Sequence, residues 1–219
     1  QNHVFADLNG NTAMASIGAE IAASKGIIVC NSAGNSGNDP WFHIAVPADA
    51  NNILTVGAVD SLENIADFSS RGYSADGRIK PDLAAQGVAT VGQHQPGIFV
   101  TGNGTSFASP LIAGMCASFW EAAPNLTAMQ VIQKVKEWII AIRLERQYTK
   151  QEIIALYLNQ VDFVNGAVGI RSAAKIYMNK EPKDLTIEEG ALFVGMLKNP
   201  SLYNPNRKKR AKLVLDRRN

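Results

Sequence analysis

The 219 residues suit one domain or two small ones, and 46% hydrophobic with 18% charged residues is a packed-core composition that excludes a disordered chain. No run approaches the roughly 18 apolar residues of a membrane-spanning helix, so no transmembrane segment is expected. The net charge of +2 hides an asymmetry: residues 1–133 carry 4 Lys and Arg against 10 Asp and Glu, whereas residues 134–219 carry 17 against 9. Glycine shifts with charge, 14 of the 18 falling in the first part. Two pieces of different origin, 1–133 and 134–219, are the expectation.

The opening Gln1-Asn2-His3 has no initiator Met, basic start or apolar core of a signal peptide, so a fragment of something longer is expected. Cys30 and Cys116 each sit in apolar runs and are expected to be buried free thiols rather than a disulfide or metal ligands.

In the first piece, Met14, Ile17, Ile21 and Ala22 keep helical spacing within residues 11–25, and Gly26 stops the helix. The runs 26–31 and 53–59 are continuous and apolar, the pattern of strands buried on both faces. A third short strand is predicted at 83–85 and a hairpin at 88–101. Helices alternating with buried strands predict an α/β layered fold with a mostly parallel sheet.

Ser106 lies in Gly104-Thr105-Ser106-Phe107-Ala108-Ser109-Pro110, at the expected start of a helix. That helix end offers unpaired N–H donors and partial positive charge to a forming anion. A serine nucleophile in acyl transfer needs such a setting. A lone Gly-Thr-Ser is also what an ordinary capped helix shows. Pro110 is expected in the first turn, where a missing N–H costs little. Asn35, in Ser32-Ala33-Gly34-Asn35-Ser36-Gly37 directly after a strand, can aim its amide at a reaction centre, or simply serve as a turn residue.

Pro47-Ala48-Asp49, Val56-Gly57-Ala58, Phe68-Ser69-Ser70, Lys80-Pro81-Asp82 and the Gly-Thr-Ser string follow that asparagine in order. Together, from about Phe5 to Gln133, they resemble the C-terminal half of the subtilisin-like serine proteases. Gln86 stands where that family usually has proline. The resemblance implies endopeptidase chemistry on a peptide or protein substrate. Ser106 would be the nucleophile, with the Asn35 side chain and the Ser106 N–H donating to the oxyanion. The family's triad runs Asp, His, Ser along the chain, and its Asp and His are expected to be missing here. His3, His43 and His94 begin no His-Gly-Thr string. Without a base a serine is a weak nucleophile, so inactivity in isolation is expected. Calcium is common among subtilases, but no site can be placed and no other cofactor is identifiable.

The second piece reads as all helix. Capping-box patterns at Thr127, Thr149 and Thr186 predict helices over 127–146, 150–159 and 187–198. A further helix is predicted over 169–178, and a basic one after Asn206. Lys134-Val135-Lys136-Glu137, then Lys150-Gln151-Glu152-Ile153-Ile154-Ala155-Leu156-Tyr157-Leu158-Asn159, then Gly166-Ala167-Val168-Gly169-Ile170 with Ala173, Ala174 and Tyr177, resemble the peptidoglycan glycosyltransferases. These are the lysozyme-like domains of penicillin-binding proteins. Asp184-Leu185-Thr186, Glu189 and Asn199-Pro200 continue the order.

That resemblance implies polymerisation of a lipid-linked peptidoglycan precursor. Glu137 would be the supporting carboxylate, and Lys134, Lys136 and Lys150 would face the pyrophosphate. The family's main catalytic Glu is expected to be missing. Alone, Glu137 is also an ordinary solvated helix residue. Arg207, Lys208, Lys209 and Arg210 fit a solvated helix face better than a nucleic-acid surface, so no nucleic-acid partner is expected. Both resemblances imply an extracellular or periplasmic location.

Gln133 stands where the second family's motif expects arginine. The expectation is a join of two incomplete coding sequences within this similar helical string, with a natural or deliberate fusion as the alternative.

Overall fold

The computed structural model describes residues 3–206 and Asp216. The chain forms two compact units, Gln1–Ile140 and Ala141–Asn219. Among the described residues it holds a parallel sheet and six α-helices.

In the first unit, helix α1 (Met14–Ser24) leads to strands β1 (Cys30–Ser32) and β2 (Leu54–Val59). Strands β3 (Gly72–Tyr73), β4 (Ile79–Lys80), β5 (Leu83–Gln86), β6 (Thr90–Gln95) and β7 (Ile98–Gly102) follow, then helix α2 (Thr105–Ala122) and, as far as Ile140, helix α3 (Ala128–Gln147). The parallel sheet runs β1-β2-β5, with Cys30 opposite Leu54 and Val56 opposite Leu83. Central β2 is buried from Leu54 to Ala58, which explains its unbroken apolar run. The expected double-sided burial over 26–31 gives way to a three-residue β1 that is only half-buried, with Ile27 55% exposed. The reason is position: among the described residues β1 ends the sheet and pairs with β2 alone.

Helix α2 lies against all three strands, and Ala108, Ile112 and Cys116 pack with Leu54, Val56 and Leu83. Val131, Ile132 and Val135 of α3 complete this core. The turn of α1's polar residues is tied to the sheet loops: Ser16 donates to Asp49 at 2.5 Å, and the Gly10 N–H donates to the other Asp49 oxygen.

The second unit contains α4 (Lys150–Gln160), α5 (Gly169–Met178) and α6 (Ile187–Leu197). Its core is Phe163, Ala167, Ala173, Ala174, Phe193 and Met196. Phe163 and Phe193 meet edge-to-face at 5.7 Å, and the Tyr177 hydroxyl donates to the Phe163 carbonyl at 2.8 Å. Capping boxes open α4 and α6 through Thr149 with Glu152 and Thr186 with Glu189. At α3, Gln130 and Thr127 exchange the corresponding bonds. The basic helix expected after Asn206, with Arg207 to Arg210, lies outside the described residues.

Candidate active site

Two backbone segments build the site. The first follows β1. Its path is clamped from neighbouring loops: the Ala33 N–H donates to Val56 O, Ser70 N–H to Gly34 O, and Ser36 N–H to Ser70 Oγ. Asn35 sits between these clamps and is exposed.

The second segment is the start of α2. Gly104 caps it at φ +153°, a conformation that favours glycine, and its N–H donates to Gly87 O at 2.8 Å. A Cβ at Gly87 would stand 2.7 Å from Gly104 O and 2.6 Å from Ala58 Cβ, so this approach also requires glycine. Thr105 is buried and Ser106 exposed, as the first two residues of the helix.

Asn35 joins the segments. Its Oδ1 accepts from the Thr105 N–H at 2.9 Å and from Thr105 Oγ1 at 3.0 Å, while Thr105 Oγ1 accepts from the Gly34 N–H at 3.2 Å. The asparagine oxygen thus caps α2 from another loop, replacing the side chain that Gly104 lacks. Two donors fix which end of the amide is oxygen, so Nδ2 remains as the donor. Seen from Gly104, a Cβ would meet Ser106 Oγ at 3.0 Å and Asn35 Nδ2 at 3.4 Å. The hydroxyl and the amide donor therefore border one small space, kept open because residue 104 has no side chain. Ser106, at the second helical position, has no intrahelical acceptor for its own N–H.

Pro110 lies inside α2, in its second turn, not in the first as expected. The helix starts at Thr105, so the N–H that Pro110 lacks is the one that would bond the Ser106 carbonyl.

The three histidines lie in other settings. His43 packs against Phe5, Trp41 and Phe42, and its Nδ1 is buried without a hydrogen-bond partner among the described residues. His3 stands 3.8 Å from Asp7, and His94 is exposed on β6. Among the described residues no three or more His, Cys, Asp or Glu side chains gather to hold a metal ion, so no calcium site is assigned.

The remaining sequence candidates fall elsewhere. Lys134 and Glu137 pair at 2.6 Å on an exposed stretch of α3, and the Lys134 ammonium holds the Glu137 carboxyl below the usual carboxylate range. Gln133 Nε2 donates to the same carboxylate at 3.1 Å. Lys136 points instead to Asp82, with Nζ 2.8 Å from Oδ1. Lys150 opens α4 in the second unit and is exposed.

Sequence reasoning missed two roles. Thr105 orients Asn35, a role concealed within the Gly-Thr-Ser string. Asp82 is the hub of an ion network: it accepts from buried Lys80 at 2.7 Å, from Lys136, and from the Thr55 N–H at 2.8 Å. Burial pushes the Asp82 carboxyl up, but the Lys80 charge and the bonds from Lys136, Lys80 and Thr55 outweigh it and leave it below its ordinary value.

These motifs agree with the sequence comparisons. The chain belongs to the subtilase family, whose model matches residues 6–153. A second family model, Transglycosylase, matches residues 120–219, so both describe residues 120–153. Serine protease AprX of Bacillus subtilis (strain 168) is 36% identical over 138 residues, covering 53% of this chain and 31% of that protein. Penicillin-binding protein 1F of the same organism is 50% identical over 74 residues, covering 34% of this chain and 10% of that protein. Among solved structures, Sphericase matches with a TM-score of 0.49 and 29% identity, over 54% of this chain and 41% of that one. The chain is thus similar to a serine protease over one part and to a penicillin-binding protein over another, and it spans a third or less of these two curated relatives.

Proposed function

We propose that residues up to about Gln133 carry the nucleophile and oxyanion half of a serine endopeptidase site. Ser106 would attack a peptide carbonyl, with Asn35 Nδ2 and the Ser106 N–H receiving the oxyanion. The observation that carries this reading is the convergence of Ser106 Oγ and Asn35 Nδ2 on the open face of Gly104. Among the described residues no histidine bonds to Ser106, so the 219 residues alone would turn over only through the weak contribution of the oxyanion site.

Fluorophosphonate labelling tests this. Slow phosphonylation mapped to Ser106 and abolished by Ser106→Ala is the expected result. An Asn35→Leu variant should label about 10²-fold more slowly, the scale of the turnover loss when an oxyanion donor is removed. Labelling indifferent to Ser106→Ala would refute the assignment, and labelling at the rate of a full triad would refute the missing base.

The Transglycosylase match favours a second reading for residues 134–219, polymerisation of a lipid-linked peptidoglycan precursor. Lys134, Lys136 and Lys150 would meet the pyrophosphate and Glu137 would support the reaction. In this arrangement Lys136 would first have to leave Asp82. Glycosyl transfer usually divides the work between two acidic groups, so no turnover of lipid-linked donor is expected. Measured turnover would favour this reading over a non-catalytic chimera. Our reading puts the join near Gln133, a position within the residues 120–153 that both family models match. Single sequencing reads crossing that codon in the source DNA would establish a true fusion; their absence would establish an artefact of assembly. Both readings place the protein outside the cytoplasm.

A further inference from the structure

Cys30 opens β1, and Cys116 lies ten residues beyond Ser106 on α2. Both thiols are free, and Cys30 packs against the buried cluster that contains Cys116, where β1 meets α2. Both also line a cleft of about 380 Å³ with Ile27, Ile28, Ala113 and Trp120. Its outer wall is open, because β1 ends the sheet and Ile27 is 55% exposed. Two thiols lining one apolar cleft that admits a small molecule have a shared chemistry that neither has alone.

We propose that Cys30 and Cys116 form a peroxide-oxidisable dithiol that closes to an intramolecular disulfide, tying β1 to α2. The neighbouring Cys116 and burial push the Cys30 thiol up, while Cys30 holds the Cys116 thiol below its ordinary value. Cys116 therefore loses its proton more readily than Cys30, and its sulfur is the attacking atom. Its sulfur forms an S–O bond with hydrogen peroxide as the O–O bond breaks, and the departing hydroxide is protonated to water. The Cys30 sulfur then attacks the resulting sulfenic acid: an S–S bond forms, the S–O bond breaks, and the Cys30 proton leaves with the hydroxide as a second water. Two electrons pass from the two sulfurs to the peroxide. The bond would link the two elements that present Asn35 and Ser106, whatever reaction they serve.

The test treats the reduced full chain with stoichiometric hydrogen peroxide, then counts thiols under denaturing conditions and maps peptides by mass spectrometry. Both thiols should disappear together, with a Cys30–Cys116 linked peptide 2 Da lighter, reversed by a dithiol reductant. Because the bond closes a long loop, the melting midpoint should rise by about 5–15 °C. Cys30→Ser and Cys116→Ser should each abolish the linked peptide and, given at least two equivalents of peroxide, leave a thiol that advances to the sulfinic acid, 32 Da heavier. Separate overoxidation of the two cysteines in the unsubstituted chain, or linkage only between chains, would overturn the proposal. The peptide map of the unsubstituted chain decides this even where a serine variant folds poorly.

Discussion

Replacing Asp82 by asparagine should expose how much of the first unit's stability depends on one carboxylate. Asp82 is 12% exposed and meets Lys80, 3% exposed, at 2.7 Å. Lys136 meets it at 2.8 Å with a side chain 35% exposed. Asparagine preserves the shape and one acceptor but leaves the Lys80 ammonium buried without a counter-charge. Removing one partner of a buried pair costs about 3–5 kcal/mol, whereas a pair at the rim contributes about 0–1 kcal/mol. Asp82→Asn should therefore cost about 3 kcal/mol or more at pH 7, and Lys136→Met at most about 1 kcal/mol.

All three tryptophans, Trp41, Trp120 and Trp138, lie in this unit, so urea unfolding followed by their emission reports on it. The pH dependence supplies an internal check. Burial depresses the Lys80 pKa, and Asp82 opposes that depression. Without Asp82 the folded pKa falls further, the unfolded state binds more protons across that window, and stability rises with pH. The variant's deficit should shrink between pH 7 and 10. In the parent chain, the depressed Asp82 pKa contributes stability fully present above about pH 4 and lost as pH falls through the lower folded value. The two curves should therefore converge in acid. A cost below about 1 kcal/mol, or one matched by Lys136→Met, would refute the hub.

Gly104→Ala would place a Cβ 3.0 Å from Ser106 Oγ on a strained backbone. It should cost about 1–3 kcal/mol and slow Ser106 phosphonylation at least about tenfold, an effect timed by intact-mass spectrometry. Phe193, 1% exposed in the second core, should cost about 3–5 kcal/mol on truncation to alanine, measured by denaturant unfolding under circular dichroism. Thr149→Ala and Thr186→Ala remove capping oxygens from α4 and α6. Each should cost about 1 kcal/mol in the same assay. With β1 unpaired on one side, the expressed chain should associate on size-exclusion chromatography; a monodisperse monomer that melts cooperatively would count against this.

The sequence pattern located every long element because periodicity and punctuation agreed there: Thr149 and Thr186 mark the starts of α4 and α6, and the apolar run at 53–59 marks β2. It also named both residues that converge at Gly104. The departures have physical causes. The strand reading of 26–31 assumed neighbours on both sides of β1, and strand order is not encoded in local hydropathy. The two-residue ladder of β3 and β4 has no periodicity to detect; Ser74 and Arg78 hold it by side-chain and backbone bonds around a turn. Pro110 falls in the second turn because α2 begins at Thr105, where the cap comes from Asn35, about seventy residues upstream and invisible to a local pattern. Lys136 looked like part of one basic group with Lys134, yet its position on the helix directs it to Asp82, a partner fixed only by tertiary structure.

The ribbon of β6 and β7 stands mostly in solvent, with Val91 67% and Phe99 68% exposed. Two strands with so little cover form a low-stability opening unit, whose amides should exchange with solvent well before those of β2. Its foot is secured separately: Ala89 N–H donates to Asn103 Oδ1, and Gly104 N–H to Gly87 O. Opening of the tip at Pro96-Gly97 is thereby decoupled from Ser106 at the foot. A protease that nicks this turn should leave two pieces still held together, with the serine hydroxyl in register.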